Sequence, residues 1–122
     1  MSILVCYGYM NYVVQYVMDL KICNTNSSLA QQFEGKYIQL SMQKFSSNVV
    51  KKCLNVFKEA DLAKIILELL ATPHLEQVLL RSKRAGALAP YANYVIYSAL
   101  QNSKGSLHSA LTNAIQPHVE LL

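Results

Sequence analysis

The sequence SNVVKKCL at residues 47–54 recurs in related form earlier and later in the chain. Residues 11–18 read NYVVQYVM and residues 93–100 read NYVIYSAL. Each copy has a small polar residue, then Tyr or Asn, two β-branched residues and a longer side chain, and each ends on an apolar pair. The second copy starts 36 residues after the first, and the third starts 46 residues after the second. A period of about 20–50 residues indicates a solenoid of stacked units.

The apolar residues in these copies have helical spacing. Val13, Val14, Val17 and Met18 stand at i, i+1, i+4 and i+5, which places them on one face of a helix. Val and Tyr also favour strands, but the apolar residues do not alternate and no hairpin turn separates the copies. We therefore expect an all-α fold with three short helices per repeat. An irregular helical bundle is the alternative.

Local signals suggest three helix boundaries between the copies. Ser28 followed by Gln31 fits a capping box at a helix start, and Gly35 is placed to end that helix. Asp61 is expected to cap a helix over residues 62–71.

One domain is expected over residues 1–122, with repeats at approximately residues 1–31, 32–67 and 68–122. The surplus in the second spacing falls at residues 81–89, where RSKRAGALA stands opposite a single Gln in the second copy. This surplus predicts an inserted basic loop.

Composition restricts the class of protein. The chain is 52% hydrophobic and 15% charged, below the roughly 25% charged residues of typical soluble domains, which argues against disorder. The three cysteines form no CxxC pair and indicate a reducing compartment. The apolar residues 1–18 lack a basic start, so we expect neither a signal peptide nor a membrane span, and a cytoplasmic protein without excluding the nucleus.

The charge distribution suits an anionic partner. There are 11 basic and 7 acidic residues, for a net charge of +4, and residues 36–58 hold five lysines and no acid. A second basic cluster lies at residues 81–84. Basic segments interleaved with aromatic residues suit contact with phosphates, although a merely solvated face explains the charge equally well.

The polar positions of the copies form a candidate reader of nucleobases. They lie at i, i+1 and i+4 of each helix, where the first and last share one face. Amides can bond the edge of a base while a ring stacks on it. A solvated helix face is the plain alternative. The candidate positions are Asn11, Tyr12 and Gln15, then Ser47, Asn48 and Lys51, then Asn93, Tyr94 and Tyr97.

Signals of catalysis are weak. His74, His108 and His118 have no metal-ligand spacing with cysteines or carboxylates, and the chain has no glycine-rich phosphate loop. Cys53 lies in an apolar helix stripe and is interpreted as a core residue. We expect no enzyme activity and no cofactor.

Residues 11–17, 40–54 and 91–96 together resemble the Pumilio (PUF) RNA-binding repeats. The run at residues 47–53 is the most specific, because the seventh repeat of that family has nearly the same string. The order of the motifs resembles repeats six to eight, which implies a chain truncated to about the last three repeats. Residues 39–54 and 98–108 are most similar to the branch found in flowering plants.

This resemblance implies a fold and a function. The family fold is a right-handed crescent of eight three-helix repeats, so the chain is expected to be a partial right-handed α-solenoid. Family members bind single-stranded RNA antiparallel to the chain. Their last three repeats read a 5′-UGU element, usually in a 3′ untranslated region, to repress or destabilise messages. The expected partners are such an RNA and repressor or deadenylase proteins.

Carried over, the resemblance implies a uracil bonded by Asn11 and Gln15 and stacked on Tyr12. Ser47 belongs to the guanine reader with Asn48 at the stacking position.

Asn93 and Tyr94 belong to the reader of the first uracil. Three positions depart from the family pattern: Lys51 stands where the guanine reader has Glu, Tyr97 where the uracil reader has Gln, and Met10 where a small residue usually precedes Asn11. An ammonium only donates hydrogen bonds, so Lys51 cannot accept from guanine as a carboxylate does. Only the Asn11–Gln15 site is expected to be intact.

Two other hypotheses remain open at this point. A helical-repeat scaffold that has lost specific RNA recognition would bind proteins on its outer face or its ends. A poorly folded remnant would have no function of its own, because solenoids need about three stacked repeats.

Overall fold

The computed structural model describes residues 8–71 and 91–117 of the chain, apart from the side chains of three residues within them. Every regular element in these residues is a helix, as the apolar spacing predicted. The seven helices, numbered in chain order, are α1 (Gly8–Asp19), α2 (Cys23–Phe33), α3 (Tyr37–Ser41), α4 (Lys44–Val56), α5 (Glu59–Leu70), α6 (Tyr91–Asn102) and α7 (Gly105–Ile115).

The three copies of the sequence motif lie on α1, α4 and α6, which we call the motif row. Helix α4 packs against α1 on one side and against α6 on the other, so the three copies stand side by side. Helices α5 and α7, which follow the second and third copies, also pack against each other and form part of a second layer. The short α3 contacts α4, α5 and α6.

Equivalent apolar residues of the motif row supply much of the core. Val14, Val50 and Ile96 occupy the same place in the three copies, and all are buried. Burial of one such side chain contributes about 1.5–3 kcal/mol, so a repeated position contributes once for each helix. Cys53 is also fully buried, which confirms it as a core residue, and this burial raises the pKa of its thiol.

The turn between α2 and α3 is fastened by an acid from α5. Gly35 follows α2 with φ of 79°, a left-handed conformation that suits glycine, and so ends that helix as predicted. The Glu68 carboxylate accepts hydrogen bonds from the backbone N–H of Gly35 at 3.2 Å and of Tyr37 at 3.0 Å. A carboxylate at the start of α3 also suits the positive end of that helix.

Two predicted helix starts are wrong. Ser28 lies inside α2, which begins five residues earlier at Cys23 without a side-chain cap. Asn26 fixes the early start, because its side-chain amide donates to the carbonyl of Met18 at the end of α1 (3.2 Å). Asp61 is in the first turn of α5, not at its cap, and that helix starts at Glu59. Acids in the first turn still stabilise the helix through its dipole.

The predicted basic insertion at residues 81–89 lies outside the described residues, so the proposed repeat boundaries stay a prediction. Within the described part of the chain, no helix combines the length and the apolar character that crossing a membrane requires.

Candidate nucleic-acid interface

An open groove runs across the motif row and joins all three of its helices. It brings together four of the predicted site residues and three others that the sequence pattern did not single out. The groove is lined by Tyr12, Gln15, Asn48, Lys51, Lys52, Asn55 and Ser98.

Aromatic rings on the motif row are open to solvent. Tyr12 on α1 is 64% exposed, and Tyr94, at the equivalent position of α6, is 54% exposed. Tyr97, one turn further along α6, is 61% exposed. Exposed rings at the same place on two helices of one row offer flat faces on which bases can stack. The predicted stacking role of Tyr12 and Tyr94 is therefore compatible with their positions.

On α1 the two predicted amide side chains are hydrogen-bonded to each other. Asn11 is fully buried, donates a hydrogen bond to the carbonyl of Gly8, and accepts one from Gln15 Nε2 at 2.7 Å. Gln15 is half-buried and lines the groove. The two residues lie on the same face, as their spacing indicates, but only Gln15 presents its amide to the groove. Asn11 holds the Gln15 amide in position, and direct contact of Asn11 with a base stays a prediction.

On α4 the equivalent positions have different surroundings. Ser47 is buried and its hydroxyl donates to the Lys44 carbonyl at 2.9 Å, whereas Asn48 is half-buried and lines the groove. Lys51 reaches towards α6, where its Nζ lies over the Tyr94 ring at 5.5 Å from the centroid. An ammonium over an aromatic face is attracted by the ring electrons. A cation–π contact therefore links the second and third copies.

The third copy is described in part. Asn93 lies in α6, but its side chain is outside the described part of the structure. Tyr97 is not among the groove-lining residues, and Ser98 supplies the lining from α6 instead.

Three contributors to the groove were missed by sequence reasoning. Lys52 is paired with Asp19 of α1 at 3.1 Å, and Asn55 accepts a hydrogen bond from Asn102 of α6 at 2.8 Å. Lys52 and Ser98 are equivalent residues, each directly after the last position of the predicted reader. Extending the reader by one residue in each copy would have found them both. Among the described residues that line the groove there are two lysines and no carboxylate, so the groove suits an anionic ligand.

The residues of the structure that could act as metal ligands are dispersed. In residues 8–71 and 91–117, no three His, Cys, Asp or Glu side chains are close enough together to hold a metal ion.

A family model named Pumilio-family RNA binding repeat matches residues 36–70, which include the whole of α3, α4 and α5. Pumilio homolog 12 of Arabidopsis thaliana is 44% identical over 112 residues, 92% of this chain. The chain belongs to the Pumilio repeat family. Putative pumilio homolog 7, chloroplastic, of the same plant is 43% identical over 88% of the chain. These plant matches confirm the likeness to the flowering-plant branch of the Pumilio family.

The Pumilio solenoid fold is also confirmed by a solved structure. The crystal structure of PUF-8 in complex with PBE-RNA superposes with a TM-score of 0.78 over 97% of this chain, at 21% sequence identity. The chain spans 33% of that protein, and only 17% and 15% of the two plant Pumilio relatives.

Proposed function

We propose that this chain binds single-stranded RNA in the groove of the motif row. The proposal rests mainly on one observation: the groove joins the three neighbouring helices of the motif row and is lined by a ring, amides and lysines, without a carboxylate among its described residues. Membership of the Pumilio repeat family supports it, as does the likeness to PUF-8, which was crystallised with RNA.

Each class of side chain has a separate task in this proposal. Bases stack on Tyr12 and Tyr94, and every such stack contributes about 1–3 kcal/mol. The amides of Gln15 and Asn48 exchange hydrogen bonds with base edges, which provides selectivity. The lysines of the groove attract phosphates, so binding weakens as salt rises. Direct roles for Asn11, Ser47, Asn93 and Tyr97 in base reading are part of the same proposal.

The biological setting is proposed from the family resemblance. The RNA is a UGU-type element in a 3′ untranslated region of a message, and binding lowers the translation or stability of that message in the cytoplasm. Repressor or deadenylase proteins are the proposed protein partners. Three repeats at about residues 1–31, 32–67 and 68–122 form the RNA-binding unit.

A second candidate is a scaffold that binds proteins. Exposed apolar side chains favour it, since Val13, Leu20 and Ile22 near α1 and Leu67 on α5 are each at least half exposed. Apolar surface of this kind is typical of protein interfaces when it is contiguous.

Fluorescence anisotropy with a labelled single-stranded RNA containing UGU distinguishes the two functions. Tyr12→Ala is expected to weaken RNA binding about 5- to 150-fold, the equivalent of a lost stack of about 1–3 kcal/mol. Leu67→Ala removes a similarly exposed side chain from α5, outside the groove, and is the matched control. Circular dichroism checks that all variants are folded. Equal RNA affinity for both variants, or no binding by the folded chain, would contradict RNA binding in the groove and favour the scaffold.

A further inference from the structure

The contact between Lys51 and Tyr94 lies at a place where a base can stack. Asn48 and Tyr94 are equivalent residues on neighbouring helices, and the Lys51 ammonium extends from α4 over the Tyr94 ring. We call the space between Asn48 and Tyr94 the α4–α6 slot. A base that stacks on this face of the Tyr94 ring displaces the ammonium, which can then bond the edge of the base.

The charged group at this slot, the Lys51 ammonium, favours acceptors on the ligand. Lys51 has three donors and no acceptor. The next lysine, Lys52, is held by Asp19. Lys52 is therefore neutralised by Asp19, whereas no carboxylate among the described residues neutralises Lys51 at the slot.

The four bases differ in what they offer to an ammonium. On its Watson–Crick edge guanine presents one acceptor, O6, beside the N1–H and N2–H donors, and an ammonium repels these two donors. Cytosine presents the N3 and O2 acceptors side by side, and both can accept from one ammonium. Uracil separates its two acceptors by the N3–H donor, and adenine has a single acceptor, N1, beside its N6 donor. Hydrogen bonding to an ammonium is therefore most favourable for cytosine and least favourable for guanine.

We propose that the α4–α6 slot takes cytosine in preference to guanine, and that Lys51 is the residue that determines this specificity. The inference rests on the proposed RNA binding and deepens it. In the free protein the Tyr94 ring holds the ammonium near the slot, so little side-chain entropy is lost when a base arrives. The RNA element recognised by this chain then has C where a UGU element has G.

Anisotropy measurements with four RNAs test the specificity directly. The RNAs are uridine-rich and identical except for A, C, G or U at the middle of one UNU triplet. The wild-type chain is expected to bind the cytosine RNA about tenfold more tightly than the guanine RNA, the equivalent of one well-placed hydrogen bond. Lys51→Glu replaces donors with acceptors and is expected to reverse this order, so that guanine becomes the preferred base.

Lys58→Glu is the matched control, because it changes the charge equally at an exposed residue before α5 that does not line the groove. It is expected to weaken all four RNAs alike and to keep cytosine first. Equal wild-type affinity for the four RNAs, a preference for guanine, or an unchanged order in Lys51→Glu would overturn the cytosine inference while RNA binding stands. A folded chain that binds none of the four RNAs overturns the proposed function itself.

Discussion

Helices α1 and α4 carry the same motif in the same register but use it differently. On α1 the last polar position, Gln15, is tied back to buried Asn11 at 2.7 Å, so the amide is oriented by its own helix. On α4 the equivalent Lys51 extends to the neighbouring helix and lies over the Tyr94 ring. The repeat therefore determines where a side chain lies, whereas the identity of the side chain determines which hydrogen bonds and charges it offers.

The two helices also differ in how far neighbouring helices shield their apolar side chains from solvent. Val49 is fully buried, because α4 packs between α1 and α6, whereas the equivalent Val13 is 51% exposed. The same valine therefore has a structural role in one repeat and leaves apolar surface exposed in the other.

Truncation of these two valines should have very different consequences for stability. Val49→Ala removes two buried methyl groups and leaves a cavity, which should lower the free energy of unfolding by about 2–3 kcal/mol. Val13→Ala should change it by less than about 0.5 kcal/mol, because the side chain is already half hydrated. Urea denaturation followed by circular dichroism measures both. Similar losses in the two variants would show that α1 is covered as well as α4.

A smaller difference is expected between the first residues of the two readers. Asn11→Ala removes a buried amide that bonds both Gly8 and Gln15, so the free energy of unfolding should fall by about 2 kcal/mol. Ser47→Ala removes one hydroxyl that donates to a carbonyl of its own helix, and a loss below about 1 kcal/mol is expected. The same urea titrations provide the values. If Ser47→Ala proves the more damaging, the structural role assigned to Asn11 is wrong.

The substitution Asn48→Tyr gives α1 and α4 the same residue at the stacking position. This change gives α4 the ring that α1 has at Tyr12, and RNA affinity should rise about fivefold, the equivalent of about 1 kcal/mol from an added stack. Leu67→Tyr adds the same ring on α5 outside the groove and should leave the affinity unchanged. A gain of equal size in both variants would indicate non-specific stacking of RNA on any exposed ring.

The smallest effect is expected for the ion pair that joins the two helices. The Asp19 and Lys52 side chains are 50% and 26% exposed, and solvent screens such a pair. Asp19→Asn should change the free energy of unfolding by less than about 0.5 kcal/mol. RNA affinity should rise about twofold at low salt, since the change removes one negative charge beside the groove, and this gain should vanish at high salt. A gain that persists at high salt would contradict this electrostatic explanation.

The sequence was sufficient to predict the helical repeat, because the same residues that recur in it are those that pack. Val14, Val50 and Ile96 are buried at equivalent places, as their common spacing requires. Helix starts were less predictable. Ser28 has the chemistry of a cap, but the contact of Asn26 with α1 decides where α2 begins.

The site was predictable in position more than in detail. Spacing placed Asn11 and Gln15 on one face of α1, yet it could not show that Asn11 is buried whereas Gln15 lines the groove. The Lys51–Tyr94 contact joins two helices that are distant in sequence, and only their packing brings the residues together. Local patterns therefore identify the reading helices but not the pairs formed between them.

Photo-cross-linking tests most directly whether RNA lies in the groove of the motif row. The folded chain is irradiated with an RNA containing 4-thiouridine, digested with trypsin, and its cross-linked peptides are identified by mass spectrometry. Adducts are expected in peptides 1–21 and 85–104, at Tyr12 and Tyr94, and an excess of unlabelled RNA should compete them away. If the adducts that unlabelled RNA competes away are confined to peptide 65–81, which holds the exposed Leu67 of α5, RNA binding in the groove is contradicted.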